Sequence, residues 1–308
     1  MLVYLVALNN SFPLWRIARI APRLLVSYYY VTTLKSNERA IFESDLFHLF
    51  GSDRWQGKVH EYLGEMMTEM EGFYDYDQLF KILKSEPRSL FVDSGAFSAA
   101  NSGHKIYIED YCRWLKQHSS IISAYANLDV IGDPEKSRKN LEYMQKLGLQ
   151  PLPVFHVGTD FGVLKELASD FSYIALGGMV PLKVHRKKLQ QFLTRCFSIV
   201  GEEVKVHGFG ITAVWALETF PFYSVDSTAW LHGGIAGAIY RFDGRHMRFY
   251  KEKRERGKAL KFLGYGARFL DRKRRFHLER GFHNIIEWLK YERFLSDLWR
   301  KRGVIWND

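Results

Sequence analysis

Short apolar runs closed by turn residues recur through the first three-quarters of this chain, and most are followed by a stretch with helical periodicity. The strand candidates are residues 2–8, 24–30, 89–93, 124–130, 152–157, 173–178, 204–210 and 222–226. Helices are expected over 105–118, 134–147, 161–169, 185–200 and 212–219, the second opened by Asp133-Pro134 as a cap and first-turn pair. Strand, helix and strand in repetition demand parallel strands joined by crossovers. Eight such strands in about 240 residues predict an α/β fold, a closed (β/α)8 barrel of the TIM type rather than an open doubly wound sheet.

The barrel is expected over residues 1–240. Residues 31–88 interrupt the alternation, hold an acidic, Met-rich helix candidate from His60 to Glu71, and read as an insertion near the barrel mouth. From Arg241 onward the chain turns basic and is expected to be helical, so 241–308 reads as a C-terminal extension. That segment holds 20 Lys/Arg against 9 Asp/Glu, whereas residues 1–240 hold 24 against 25. All the excess positive charge lies in the extension, which suits a polyanion whose counterions it displaces; the plain alternative is a solvated helical surface. Arg272, Lys273, Arg274 and Arg275 are the densest basic run and the expected phosphate contacts.

Two cysteines, Cys112 and Cys196, lie too far apart in sequence for a disulfide framework or a paired-cysteine zinc knuckle, and they fit a reducing, cytoplasmic setting. No apolar run approaches the ~20 residues that span a bilayer, so no membrane partner is expected. The apolar start MLVYLVAL reads as a buried first strand.

In a barrel, all the strands' carboxyl ends share one mouth. Polar residues collect at these ends: Asp93, Asp129, His156, Gly177, Gly178, His207 and Asp226. Asp93 stands in LFVDSGAFS, where Ser94 and Gly95 let a ligand approach the backbone closely, although Asp-Ser-Gly also forms an ordinary Asx turn. Asp129 in ANLDVIGDP and Asp226 in FYSVDSTAW repeat the arrangement. Three carboxylates facing one mouth repel one another, a cost better explained by a site than by stability.

These segments, in this order over roughly residues 88–230, resemble the tRNA-guanine transglycosylase superfamily, and within it most closely the branch that inserts 7-deazaguanines into DNA. DSGAF is similar to the family's DSGG-aromatic motif, which implies that Asp93 contacts the purine and Phe97 stacks on it. NLDV implies Asp129 on the pyrimidine edge of a guanine-like base. PVFHVG puts His156 where the family usually has glutamine, and ALGGM resembles its backbone reader, so Gly178 and Met179 inherit the contact to the exocyclic oxygen. VHGFG implies His207 as the opposite stacking face, and SVDSTAW implies Asp226 as the nucleophile. The implied partners are DNA, with its target guanine unpaired or flipped, and a free 7-deazaguanine base, with the 7-cyano form expected; no cofactor is implied.

Each residue also has a bland account. Phe97 and Met179 suit a core, His156 and His207 suit satisfied interior histidines, and Asp133 suits a helix cap. Trp230, His232, Gly233 and Gly234 suit either a phosphate-binding loop or a plain turn. The family's tRNA enzymes carry a structural zinc held by three cysteines and a histidine beyond the nucleophile, and this chain has no cysteine after Cys196. With that subdomain absent, a monomer is expected, and Ala96 and His156 also point to the DNA branch. The competing functions are the same chemistry on tRNA, a non-catalytic nucleic-acid-binding paralogue, and a carbohydrate hydrolase using two barrel carboxylates.

Overall fold

The computed structural model describes residues 1–7, 15, 18–51, 54–70, 76–84, 87–231, 238–250 and 276–306. Eight strands, β1 (Leu2–Val6), β2 (Arg23–Ser27), β3 (Ser89–Asp93), β4 (Ala124–Tyr125), β5 (Val154–His156), β6 (Tyr173–Gly177), β7 (Lys205–Gly208) and β8 (Ser224–Ser227), pair in parallel in the order β4-β3-β2-β1-β8-β7-β6-β5. The two ends of that order meet. Ala126, just past β4, bridges Leu152, just before β5, and the N–H groups of Asn127 and Leu152 donate to the carbonyls of Leu152 and Tyr125 at 2.9 and 2.8 Å. The chain therefore folds as an α/β barrel of the expected TIM type, its β4 and β5 edges joined by that one bridge.

Helices follow the strands: Ile108–Gln117 after β3, Pro134–Lys146 after β4, Phe161–Asp170 after β5, Arg186–Val200 after β6 and Val214–Thr219 after β7. Asp133 caps the second of these, accepting from the Lys136 N–H at 3.0 Å. Strands buried on both faces build two cores. Tyr4, Val6, Leu25, Phe91, Ala126 and Leu152 fill the barrel interior, while Leu24, Val26, Val92 and Val225 point outward to the helices.

Three regions differ from expectation. Tyr28 to Tyr30 open the helix Tyr28–Thr33 instead of extending β2, because the Tyr28 ring packs against Tyr111 and Trp114 at 5.1 and 5.6 Å between centroids. Packing here outweighs the strand preference of aromatics. Residues 31–88 are mainly helical, with Ser36–Phe50, Trp55–Met70 and Tyr76–Lys84. From Asp45 onward their contacts lie at the strands' amino ends rather than over the mouth. Asp45 accepts from Trp15 Nε1 (2.8 Å), Arg19 Nη1 (3.1 Å) and Tyr62 Oη (2.6 Å), and Arg88 donates to the carbonyls of Arg19 and Ala21, just ahead of β2.

The third difference lies beyond residue 240. An antiparallel hairpin of β9 (Ile239–Phe242) and β10 (Met247–Tyr250) stands where helix was expected, turned at Asp243, whose carboxylate accepts from the N–H groups of Arg245 and His246. The helix Phe276–Lys301 then packs on β1, β9 and Val214–Thr219, burying Phe282, Ile285, Trp288, Leu289, Leu295 and Trp299 in the outer core. Its Asn284 and Glu287 accept from the backbone N–H groups of Tyr240 and Phe242. The basic C-terminal region thus contributes a helix to the barrel wall. Among the described residues, no helix is long and apolar enough to cross a membrane.

Candidate active site

Strand register decides which side chains enter the barrel mouth. Ser27 pairs with Asp93, and Tyr4 with Asp226, at inward-facing positions two residues above Leu25 and Phe91 or beside them, so both carboxylates rise from the barrel interior. Asp226 is 7% exposed and accepts from the Gly210 N–H at 2.6 Å. Asp129 arrives from the loop after β4. Its buried side chain accepts from Asn127 Nδ2 at 3.2 Å and from His156 Nε2 at 3.0 Å.

The three carboxylates are electrostatically unequal. Burial pushes the Asp93 carboxyl up to about 7; the N–H groups of Gly95 and Ser94 oppose the rise, and the negative charges of Asp226 and Asp129 add to it. An acid at that position holds its proton about half the time near neutral pH. Asp129 is also raised by burial, while His156 and Asn127 pull it back down. A cation missed by the sequence reading completes the field. Lys183 lies on the 3-10 turn Val180–Val184 after β6, burial lowers its pKa, and the charge of Asp226 opposes that fall. Only its place five and six residues after Gly178 and Gly177 could have drawn attention to it.

The expected ligand-binding residues meet different fates. Gly95 has φ +78°, and a Cβ there would lie 2.4 Å from Tyr29 Cβ and 2.5 Å from Ser27 Oγ, so the turn after Asp93 requires glycine. Ser94 is buried, and its Oγ accepts from the Ala96 N–H at 3.4 Å, which turns it into the loop. Phe97, on the helix Ala96–Ser102, is 59% exposed, so the core account of this residue does not hold. Gly177 lies against the His156 ring, where a Cβ would approach to 2.9 Å. Met179 is fully buried, whereas Gly178 before it is exposed. Among the described residues, the N–H groups of Gly178 and Met179 have no protein acceptor.

His207 requires a correction. It was expected to offer a ring face to a base, but it is completely buried on the barrel axis, stacked on Phe91 at 4.5 Å and edge-on to Phe209 at 4.6 Å. Period-two alternation turns it inward together with Ala175 and Ser224, one level below the mouth. Its Nδ1 lies 2.6 Å from Ser224 Oγ, which in turn lies 2.6 Å from Tyr173 Oη. Nε2, otherwise without a partner, faces Asp226 Oδ1 at 3.4 Å. His207 is therefore part of the floor under Asp226.

Trp230 is also buried, donating from Nε1 to the Val6 carbonyl at 3.2 Å, which is a structural role. Arg272, Lys273, Arg274, Arg275, His232, Gly233 and Gly234 lie outside the described residues. Among the described residues, no group of three or more His, Cys, Asp or Glu side chains is disposed to hold a metal ion. Chemically, the mouth combines a carboxylic acid poised near neutrality, a second buried carboxylate on β8 and a histidine-held third carboxylate, with exposed Phe97 on the helix that follows Asp93. No protein-family model matches this chain, and a comparison with curated proteins finds no match.

Proposed function

We propose that this protein is a base-exchanging transglycosylase that replaces guanine in DNA with a 7-deazaguanine, the 7-cyano form being the expected incoming base. The observation that carries this reading is the pairing of Asp93, pushed up to about 7, with the buried Asp226 in one barrel mouth. Glycosyl transfer with retention needs such a pair, one group ionised to attack and one able to deliver and take back a proton.

In the first half-reaction an Asp226 oxygen bonds to C1′ as the C1′–N9 bond breaks. The bonding electrons leave with guanine, which takes the Asp93 proton. In the second half, ionised Asp93 removes a proton from the incoming base, whose nitrogen attacks C1′ and releases the Asp226 carboxylate. No net charge or oxidation state changes. Asp129 suits the N1–H and 2-amino donors of a guanine edge, the N–H of the exposed Gly178 suits its exocyclic oxygen, and the exposed Phe97 ring would stack on the base. Since a paired base cannot reach this depth, the target must be unpaired or flipped out.

The test supplies isotopically labelled guanine to the protein with matched DNA and RNA hairpins, followed by mass spectrometry of the nucleosides. Label in DNA is expected. Label confined to RNA would move the same chemistry to tRNA, and label in neither would refute the exchange.

A further inference from the structure

A groove of about 580 Å³ opens on the flank of the mouth, between the segment after β3 and the loop after β4. One wall is the helix Ala96–Ser102, which contributes Ala96, Ala99 and Ala100. Spaced three and four residues apart, these share one helical face and make a smooth surface of methyl groups. Leu128, Val130 and Ile131 form the other side, and Asp129 lies among them. Asp93 and Asp226 do not line the groove, so it reaches the base-reading carboxylate without passing the sugar-reacting pair.

We propose that this groove is a binding site for a free purine base and the path by which the incoming base reaches Asp129 while the polymer covers the mouth. The inference rests on the transglycosylase reading and extends it. Base exchange sets a geometric problem: once deoxyribose is held on Asp226, the nucleic acid sits across the mouth, yet one planar base must leave and another must enter. A separate opening lined by Asp129 meets that need. Its walls suit a flat heterocycle, because apolar side chains on both sides cover the ring faces while Asp129 among them takes the donors on the ring's edge. The volume exceeds that of one purine, which suits passage rather than tight capture. Glu109 also lines the groove, next to Lys105 and His104, so the outer end carries mixed charge and makes a poor track for a phosphate backbone.

Ala100 is exposed, and Ile131 is 44% exposed, so filling the groove from either wall leaves the core intact. The experiment measures steady-state incorporation of labelled guanine into a DNA hairpin, with both substrates varied, for the wild type, Ala100→Trp and Ile131→Trp. Both variants are expected to raise KM for free guanine about tenfold, leaving DNA affinity and KM for DNA within about twofold of wild type. Wild-type KM for guanine in both variants would overturn the groove proposal alone, as would a parallel tenfold loss of DNA affinity, which would make the groove part of the polymer track. A wild-type protein that exchanges no base would overturn the transglycosylase reading and the groove with it.

Discussion

The two ends of the barrel treat buried charge in opposite ways. At the amino ends buried charges meet partners of opposite sign or backbone carbonyls: Arg19 meets Asp45 at 3.1 Å and Glu65 at 2.9 Å, Arg23 meets Glu292, and Arg88 donates to the carbonyls of Arg19 and Ala21. Asp45 is further satisfied by Trp15 and Tyr62, and the Arg19 guanidinium lies 3.4 Å from the Tyr62 ring centroid. At the carboxyl ends Asp93, Asp129 and Asp226 share a mouth, and the charges of Asp226 and Asp129 add to the burial that raises the proton affinity of Asp93, with His156 on Asp129 and Lys183 in the field of Asp226. Paired charges of the first kind hold the insertion and the last helix to the barrel. Like charges of the second kind cost stability, a cost that the proposed chemistry would explain.

Substitutions at the two ends should therefore separate activity from stability. The largest effect is expected at Asp226: replacing it with Ala should cut base exchange by at least ~1,000-fold in a labelled-guanine assay, while DNA affinity holds and the melting temperature stays level or rises. Asp45→Ala should do the reverse. It strands Arg19, Trp15 and Tyr62 without their common acceptor, so chemical denaturation should show a loss of about 3–5 kcal/mol, and whatever protein remains folded should keep its exchange rate.

The third prediction turns on pH. Asp93 ionises near 7 when folded but near 3.8 in an unfolded chain, so the folded state pays a penalty that is absent below about pH 4, grows up to pH 7 and is complete above it. Asp93→Asn should accordingly stabilise the protein at pH 8, by up to about 4 kcal/mol, and the gain should vanish at pH 4 while turnover stays impaired. A gain that is equal at both pH values would show that the carboxyl is not buried against its neighbours. The smallest effect is expected at Phe97: changing it to Ala should weaken binding of a DNA hairpin with an unpaired guanine by about 1–2 kcal/mol and leave the melting temperature unchanged, since the ring is exposed.

Much of this architecture was legible in the sequence because parallel strands buried on both faces leave continuous apolar runs, and each of β1 to β8 overlaps its expected segment, β2 starting one residue earlier and β8 ending one residue later. The Asp93 and Asp226 positions were legible for the same reason, as a carboxylate closing or interrupting such a run has few places to go but the mouth. Depth was not. His207 and Asp226 both face inward, and only the register with Ala175 and Ser224 shows that the histidine lies a layer lower, beneath the site. In segment 124–130 the strand covers only Ala124–Tyr125, with Ala126 adding a single bridge to Leu152, because Asn127 turns its side-chain amide to the Ser137 carbonyl and Asp129 falls in a loop. The last helix was read through its charge, although Phe282, Ile285, Ile286 and Leu289 already mark an apolar stripe at helical spacing.

The central claim is that one carboxylate in this mouth bonds to sugar. The most direct measurement is intact-protein mass spectrometry after rapid denaturation of the protein with a DNA hairpin carrying an unpaired guanine and no free base. A species heavier by the hairpin less one guanine, mapping to Asp226 by peptide analysis and absent from Asp226→Ala, is the predicted result. Base exchange that proceeds with no such adduct, or an adduct that persists in the variant, would contradict it.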